Sequence, residues 1–186
     1  AALLFSSVAV AMHGSGRTDT VLRWLRWFEE RGMIVQYPQV ATLGAILEAL
    51  HGERASALLL ADTAATGRAD DLVPDGSTLG GWIAAMEACL CRRGVAAMRD
   101  DAARATQQLN PLSPLRSTAT ALEGVAALLQ GDLQGADSLF ASGAELCRRT
   151  HNYPAFAVSL AERAVIALER GDGDLASTLS EEALSV

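Results

Sequence analysis

The octapeptide "HGSGRTDT", His13 to Thr20, sets two glycines, an arginine and two threonines directly after the apolar run Val8 to Met12. Glycines in that setting are the material of phosphate-cradling loops, where backbone N–H groups hold the phosphates and a lysine reaches the terminal ones. That chemistry needs the spacing G-x-x-x-x-G-K-[ST]. Here Gly14 and Gly16 stand too close together, and Arg17 occupies the place of the lysine. The chain offers no lysine elsewhere, because all 15 basic residues are arginine. The stretch therefore reads as a turn between two helices, with Thr18 or Asp19 capping the second.

Other reactive side chains are present without the partners that chemistry requires. His13, His51 and His151 fall at expected helix ends, where an imidazole interacts with C-terminal carbonyls or caps a turn. No His or His/Cys cluster has the i, i+4 spacing of a metal site. Ser6, Ser7, Ser77 and Ser159 lack a histidine at nearby helical spacing, which weakens an acyl-transfer reading without closing it. Cys89-Leu-Cys91 has the wrong spacing for a zinc knuckle and no second pair. With Cys147 these residues read as buried or half-buried thiols of a reducing cytoplasm. No catalytic, cofactor-binding or metal-ligating residue is expected.

Carboxylates and aromatics give the better candidates. Glu48, Glu87, Glu123 and Glu162 recur with a rough forty-residue beat, and Trp82 lies about one turn before Glu87. Carboxylates beside an aromatic platform suit a polar ligand such as a sugar, or a basic segment of a partner. The competing reading makes them solvated faces, with Arg92 and Arg163 as partners in weak ion pairs. Trp24, Trp27 and Phe28 read as core of a helical hairpin, or else as an aromatic edge against a neighbouring domain. The net charge of −7 repels phosphate backbones, so direct nucleic-acid contact is not expected.

Helices must position these residues. Half of the chain is hydrophobic but only 5% is aromatic, and the apolar mass is Ala, Leu and Val, which suits close helix packing. In "DTVLRWLRWFEERG", Val21, Leu22, Leu25 and Phe28 share one stripe. About ten such segments follow one another with short turns, and none alternates with period two for long enough to make a strand. Pro38 and Pro114 suit first helical turns, and Ser77 and Ser113 suit N-caps. "RADDLVPDGS", residues 68–77, is the one substantial loop and a possible sub-boundary in an otherwise single region spanning 1–186.

The hairpins repeat. Gly44, Ala84, Gly124 and Ala164 follow one another at steps of 40 residues, as do the turn glycines Gly131 and Gly171 and the small residues Ala136 and Ala176. Small residues at these places let the two helices of a unit approach closely. The pattern resembles tetratricopeptide repeats, with Gly124 as the small position of the first helix and Phe140 as the large position of the second. The period is longer than the usual ~34, and Ala, Thr or Leu replaces most of the family's large residues. The resulting expectation is all-α: a tetratricopeptide-like right-handed superhelix of about five antiparallel hairpins with a concave face.

Longer stretches carry a second resemblance. "GRTDTVLRWLRWFEERGMIVQYPQVATLGAILEALHGERASA", "WIAAMEACLCRRGVAAMRDDAARA" and "LEGVAALLQGDLQGADSLFASGAEL" resemble the helical-repeat region of the large MalT-like, LuxR-type bacterial transcriptional regulators. The more telling residues are Trp24, Trp27, Gly32, Tyr37-Pro38 and the Leu90-to-Asp100 stretch. The resemblance implies a cytoplasmic, modular protein with an ATPase before this region and a DNA-binding helix-turn-helix after it. It implies a sensing role for the region itself: an effector small molecule or regulatory protein binds here and controls ATP-dependent self-association, so a homo-oligomer is possible. Glu48, Trp82, Glu87, Glu123 and Glu162 are the candidate concave-face contacts, and ATP belongs to the upstream domain. The first residue is not Met and the last residues read as helix, so the chain is taken as a fragment. The alternative function is a scaffold that binds a partner's peptide or helix and senses no small molecule.

Overall fold

The computed structural model describes residues 1–185; Val186, which closes the expected domain range, lies outside the described residues. Ten α-helices fill the described chain. They are α1 (Ala2–Gly14), α2 (Thr18–Glu30), α3 (Pro38–Leu50), α4 (Arg54–Ala64) and α5 (Leu79–Leu90), then α6 (Val95–Gln108), α7 (Pro114–Leu129), α8 (Leu133–Thr150), α9 (Tyr153–Glu169) and α10 (Gly173–Leu184). A short 3-10 turn, Ile34–Gln36, leads into α3. The described residues contain no strand beyond one isolated antiparallel bridge, Leu72 to Thr78.

Local chemistry explains most of the boundaries. Pro38 and Pro114 sit in the first turns of α3 and α7, where the missing N–H costs nothing. Side chains of Thr78, Asp132, Asn152 and Asp172 accept N-capping bonds from the N–H groups of Gly81, Gly135, Ala155 and Leu175. One expected cap is displaced. Ser77 does not cap α5, because its hydroxyl is taken up by the Asn110 N–H at 2.9 Å, and Thr78 caps instead. Ser113 does stand at the N-cap of α7, but its buried hydroxyl makes no capping bond. Thr18 and Asp19 do not cap α2, since that helix already includes both; Arg17 is its N-cap and makes no side-chain cap bond.

Consecutive helices pack against one another, most extensively α7–α8, α3–α4 and α9–α10, then α5–α6 and α8–α9 alike. The forty-residue register is visible in what touches what. A Cβ placed on Gly124 would lie 2.9 Å from Phe140 Cε1, so the small residue of α7 sits directly against the large residue of α8. Gly44 of α3 meets Leu60 of α4 and Leu25 of α2 in the same way. Ala84, Ala136, Ala164 and Ala176 are all buried.

The odd-numbered helices also touch one another in sequence, α1 to α3, α3 to α5, α5 to α7 and α7 to α9, whereas the even-numbered helices make no comparable contact. α1 departs from the pattern. It packs only lightly on α2 and reaches as far as α7, and Gly14 at its end abuts the backbone of His151 and Asn152.

The 68–77 loop is stitched into this array. Asp75 accepts from the Ser77 N–H at 2.9 Å and from the Trp82 indole N–H at 3.1 Å, while Val73 is buried. One hydrophobic cluster runs from Ala2 in α1 to Ala119 in α7, across the loop. Two smaller clusters hold α7 to α10, one around Phe140 and Ile166, the other around Cys147, Phe156 and Leu160.

Candidate functional site

The stretch 13–20 forms the turn from α1 to α2, with Gly16 at φ +77 and the His13 ring 2.9 Å from the Thr18 hydroxyl through Nδ1. Thr18 therefore spends its oxygen on the imidazole. His51 caps the end of α3 and its Nδ1 lies 3.1 Å from the Leu47 carbonyl. His151 ends α8 in the left-handed conformation, at φ +55. Ser7 and Ser159 donate to carbonyls of their own helices, and none of the four candidate serines hydrogen-bonds a histidine. Among the described residues no three His, Cys, Asp or Glu side chains converge as a metal-binding group.

The five candidate contacts are spread over different surroundings. Trp82 is only 2% exposed and its indole N–H is spent on Asp75, so it offers no open aromatic platform. The cause is simple: Trp82 faces the loop that follows α4, and the loop covers it. Glu87 is held by the Arg92 guanidinium, which also donates to Asp62 of α4 at 2.9 Å. Glu123 is half-buried; burial pushes its carboxyl above the usual range, and Arg99 of α6 pulls the other way. Glu48 lines an open polar cleft with Arg26, Glu29, His51 and Glu53, and burial followed by the Glu53 charge raises its carboxyl. Glu162 is half-buried on α9. No hydrogen bond or ion pair joins any two of the five.

Their register explains the scatter. Trp82, Leu122 and Glu162 are equivalent positions 40 residues apart, but Glu48, Glu87 and Glu123 fall at three other positions of the unit. On a helix these positions spread over more than one face, although those of Glu87 and Glu123, four residues apart within the unit, share one. The acidic beat is thus not one surface.

The odd helices instead enclose an apolar cavity of about 290 Å³ that the acidic candidates do not line. Its walls come from Val10 and His13 of α1, Leu43, Ile46, Leu47 and Leu50 of α3, Leu115, Thr118, Ala121, Leu122 and Val125 of α7, and Asn152, Pro154, Ala155 and Val158 at the start of α9. Leu50 and Val158, 52% and 49% exposed, stand at its open side. No Asp, Glu or Arg contributes to the lining.

Three polar side chains remain. Asn152 is buried and fully engaged: its amide donates to Ser117 and Thr118 hydroxyls, each at 3.1 Å, and its carbonyl caps α9. Thr118 is part-exposed and accepts from Asn152, and among the described residues its hydroxyl donates no hydrogen bond. His13 is pulled below its ordinary value, by burial first and then by the nearby His51, so it lines the cavity as a neutral imidazole at pH 7.

A smaller cavity of about 110 Å³ shares the walls Val10 and Leu115. Ser6, buried with its hydroxyl unpartnered, lines it together with Asp75 and Trp82. Sequence patterning missed both spaces, because they depend on α1 lying against α7, two elements a hundred residues apart.

Trp24, Trp27 and Phe28 divide between the two expected roles. Phe28 is core, packed edge-on against Phe5 and Tyr37 at ring separations of 5.7 and 6.1 Å. Trp27 is 38% exposed and, with Leu4, Phe5 and Trp24, lines an apolar groove between α1 and α2.

No described helix is long and apolar enough to cross a membrane. No family model matches the sequence, and no curated protein matches it significantly.

Proposed function

We propose that this chain is a recognition module: a tetratricopeptide-like superhelical array of about five hairpins that binds its effector on the odd-helix side. The cavity between α1, α3, α7 and α9 carries the reading. Its walls are apolar, they come from helices far apart in sequence, and one hydroxyl donor is left unspent, which is how small-molecule sites are built. The superhelical reading is supported by the forty-residue register and by the closer approach of odd helices than even ones, since a row that converges on one side bends toward it.

The resemblance to MalT-like, LuxR-type regulators gives this module its place. In such a protein the array is the sensor between an ATPase and a helix-turn-helix domain. The ATP and DNA sites lie outside this region, and the module performs recognition without chemistry of its own. An occupant touching α1, α3, α7 and α9 together favours one curvature of the array over others. That differential affinity shifts the population between resting and assembled states of the whole regulator.

A thermal-shift screen of a small-molecule library against the chain and its Val158→Trp variant tests the reading. Val158 is half-exposed at the cavity mouth, so the indole blocks entry without disturbing the core. Ligands that raise the melting temperature of the parent and not of the variant support it. Ligands that stabilise both equally refute it. The scaffold reading draws on the groove around Trp27 and Leu4; it is favoured if a partner helix binds the chain, Trp27→Ala abolishes that binding, and Val158→Trp leaves it intact.

A further inference from the structure

We infer that the cavity takes an uncharged, mainly aliphatic small molecule that presents one acceptor oxygen to the Thr118 hydroxyl, and that this molecule pins α1 against α7 and α9. The inference rests on the recognition reading above and narrows its ligand class.

The charge of the occupant follows from the lining. The walls hold no Asp, Glu or Arg, and the one ionisable group, His13, is neutral there. A carboxylate or ammonium would enter a space with no counter-charge, and burying an unpaired charge is costly. Its body follows from Val10, Ile46, Leu47, Leu115, Leu122 and Val125, which give hydrocarbon on every side. The volume, about 290 Å³, is at the small end for ligand pockets.

Its polar end follows from an inventory of donors. Asn152 has committed both its amide and its carbonyl, and the His13 Nδ1 is committed to Thr18. The Thr118 proton and the second His13 nitrogen, Nε2, are the polar functions left over, and an oxygen that accepts from the Thr118 hydroxyl is recognised at no cost to existing bonds.

The effect on α1 follows from how lightly this helix is held. Val10 and His13 form its share of the cavity wall, and its other contacts to the array are few. An occupant supplies the missing apolar contact between α1 and α7, and so protects α1 from local opening.

The test uses the 186-residue chain and N-phenyl-1-naphthylamine, a neutral apolar fluorophore, as reporter. Competition is measured with 1-octanol, octanoate and octylammonium. The alcohol should displace the reporter at roughly tenfold lower concentration than either ion. Thr118→Val, which keeps the shape and removes the donor, should weaken 1-octanol roughly three- to tenfold and leave the reporter unaffected. Amide hydrogen exchange in α1 should slow when 1-octanol is bound. Displacement by octanoate or octylammonium at equal or lower concentration overturns the ligand class while leaving the cavity as the site. Equal binding of 1-octanol by Thr118→Val, or binding with no protection of α1, overturns the placement. Reporter binding that Val158→Trp does not reduce removes the recognition reading itself.

Discussion

Gly124 and Phe140 form the contact on which the forty-residue unit is built, and a double-mutant cycle measures it. A methyl group at position 124 would lie 2.9, 3.0 and 3.2 Å from three carbons of the Phe140 ring, where ordinary contacts begin near 3.4 Å. The ring has nowhere to go, because Phe140 is fully buried in a cluster with Ala127, Ala136 and Ile166. Overpacking of this kind costs about 1–3 kcal/mol. Replacing glycine by alanine within a helix returns about 0.5–1 kcal/mol through the unfolded state and helix propensity. Gly124→Ala therefore lowers stability by about 1 kcal/mol net.

In a Phe140→Leu background the ring edge is gone, and the same Gly124→Ala change should stabilise by about 0.5–1 kcal/mol. The two effects differ by about 2 kcal/mol, well outside the additivity of independent sites. Urea unfolding followed by circular dichroism, with all four members of the cycle, measures the coupling. Gly173→Ala is the control: that glycine opens α10 with nothing within 4 Å of its would-be Cβ, so the change should not destabilise. A coupling below about 0.5 kcal/mol, or a stabilising Gly124→Ala in the parent, refutes the argument that close approach at this position is why a small residue stands there.

Three further outcomes follow from the same structure. Cys91 ends α5 at φ +46, in the register where Gly131 and Gly171 sit in the next units; Cys91→Gly should raise stability by about 1 kcal/mol, read from the shift of the urea midpoint. His13 is held below its ordinary value of 6.5, so the unfolded chain takes up this proton first and the contribution of His13 is lost as pH falls from above 6.5 toward its lowered folded value. The parent should lose more stability than His13→Asn between pH 7.5 and 5.5 in denaturation curves, and a parallel pH dependence of the two proteins counts against a buried neutral imidazole. Burial raises the Cys89 thiol to about 12 and also raises Cys147, leaving Cys91 as the readily alkylated cysteine; iodoacetamide labelling of the folded chain followed by peptide mapping should modify Cys91 well ahead of the other two.

Sequence patterning reached the parts of this molecule that are local or repeated. Helix stops at Gly131 and Gly171, the first-turn prolines Pro38 and Pro114, and the small-on-large contact of Gly124 with Phe140 all follow from rules that act within one hairpin. Caps failed where a distant partner intervened. Ser77 has the right chemistry and the right place, yet its hydroxyl is claimed by the Asn110 N–H, 33 residues away, and Thr78 takes over the cap.

The apolar face shared by α7 and α9 was hidden for the same reason at larger scale. A recurrence of Glu48, Glu87, Glu123 and Glu162 looks like a surface only if the recurrence keeps register with the forty-residue unit, and no two of the four share a position in it. The helical phase then sends Glu87 to Arg92 and Asp62, Glu123 toward Arg99, and Glu48 into the cleft beside Glu53. By contrast Leu115, Thr118, Leu122 and Val125 are spaced as one face of α7, and the positions 40 residues on, Ala155, Val158, Glu162 and Val165, are spaced as the same face of α9. That stripe was legible in principle. It reads as ordinary core until α1 is seen to lie across it and leave part of it uncovered, and no periodicity reports where a helix lands after a glycine turn.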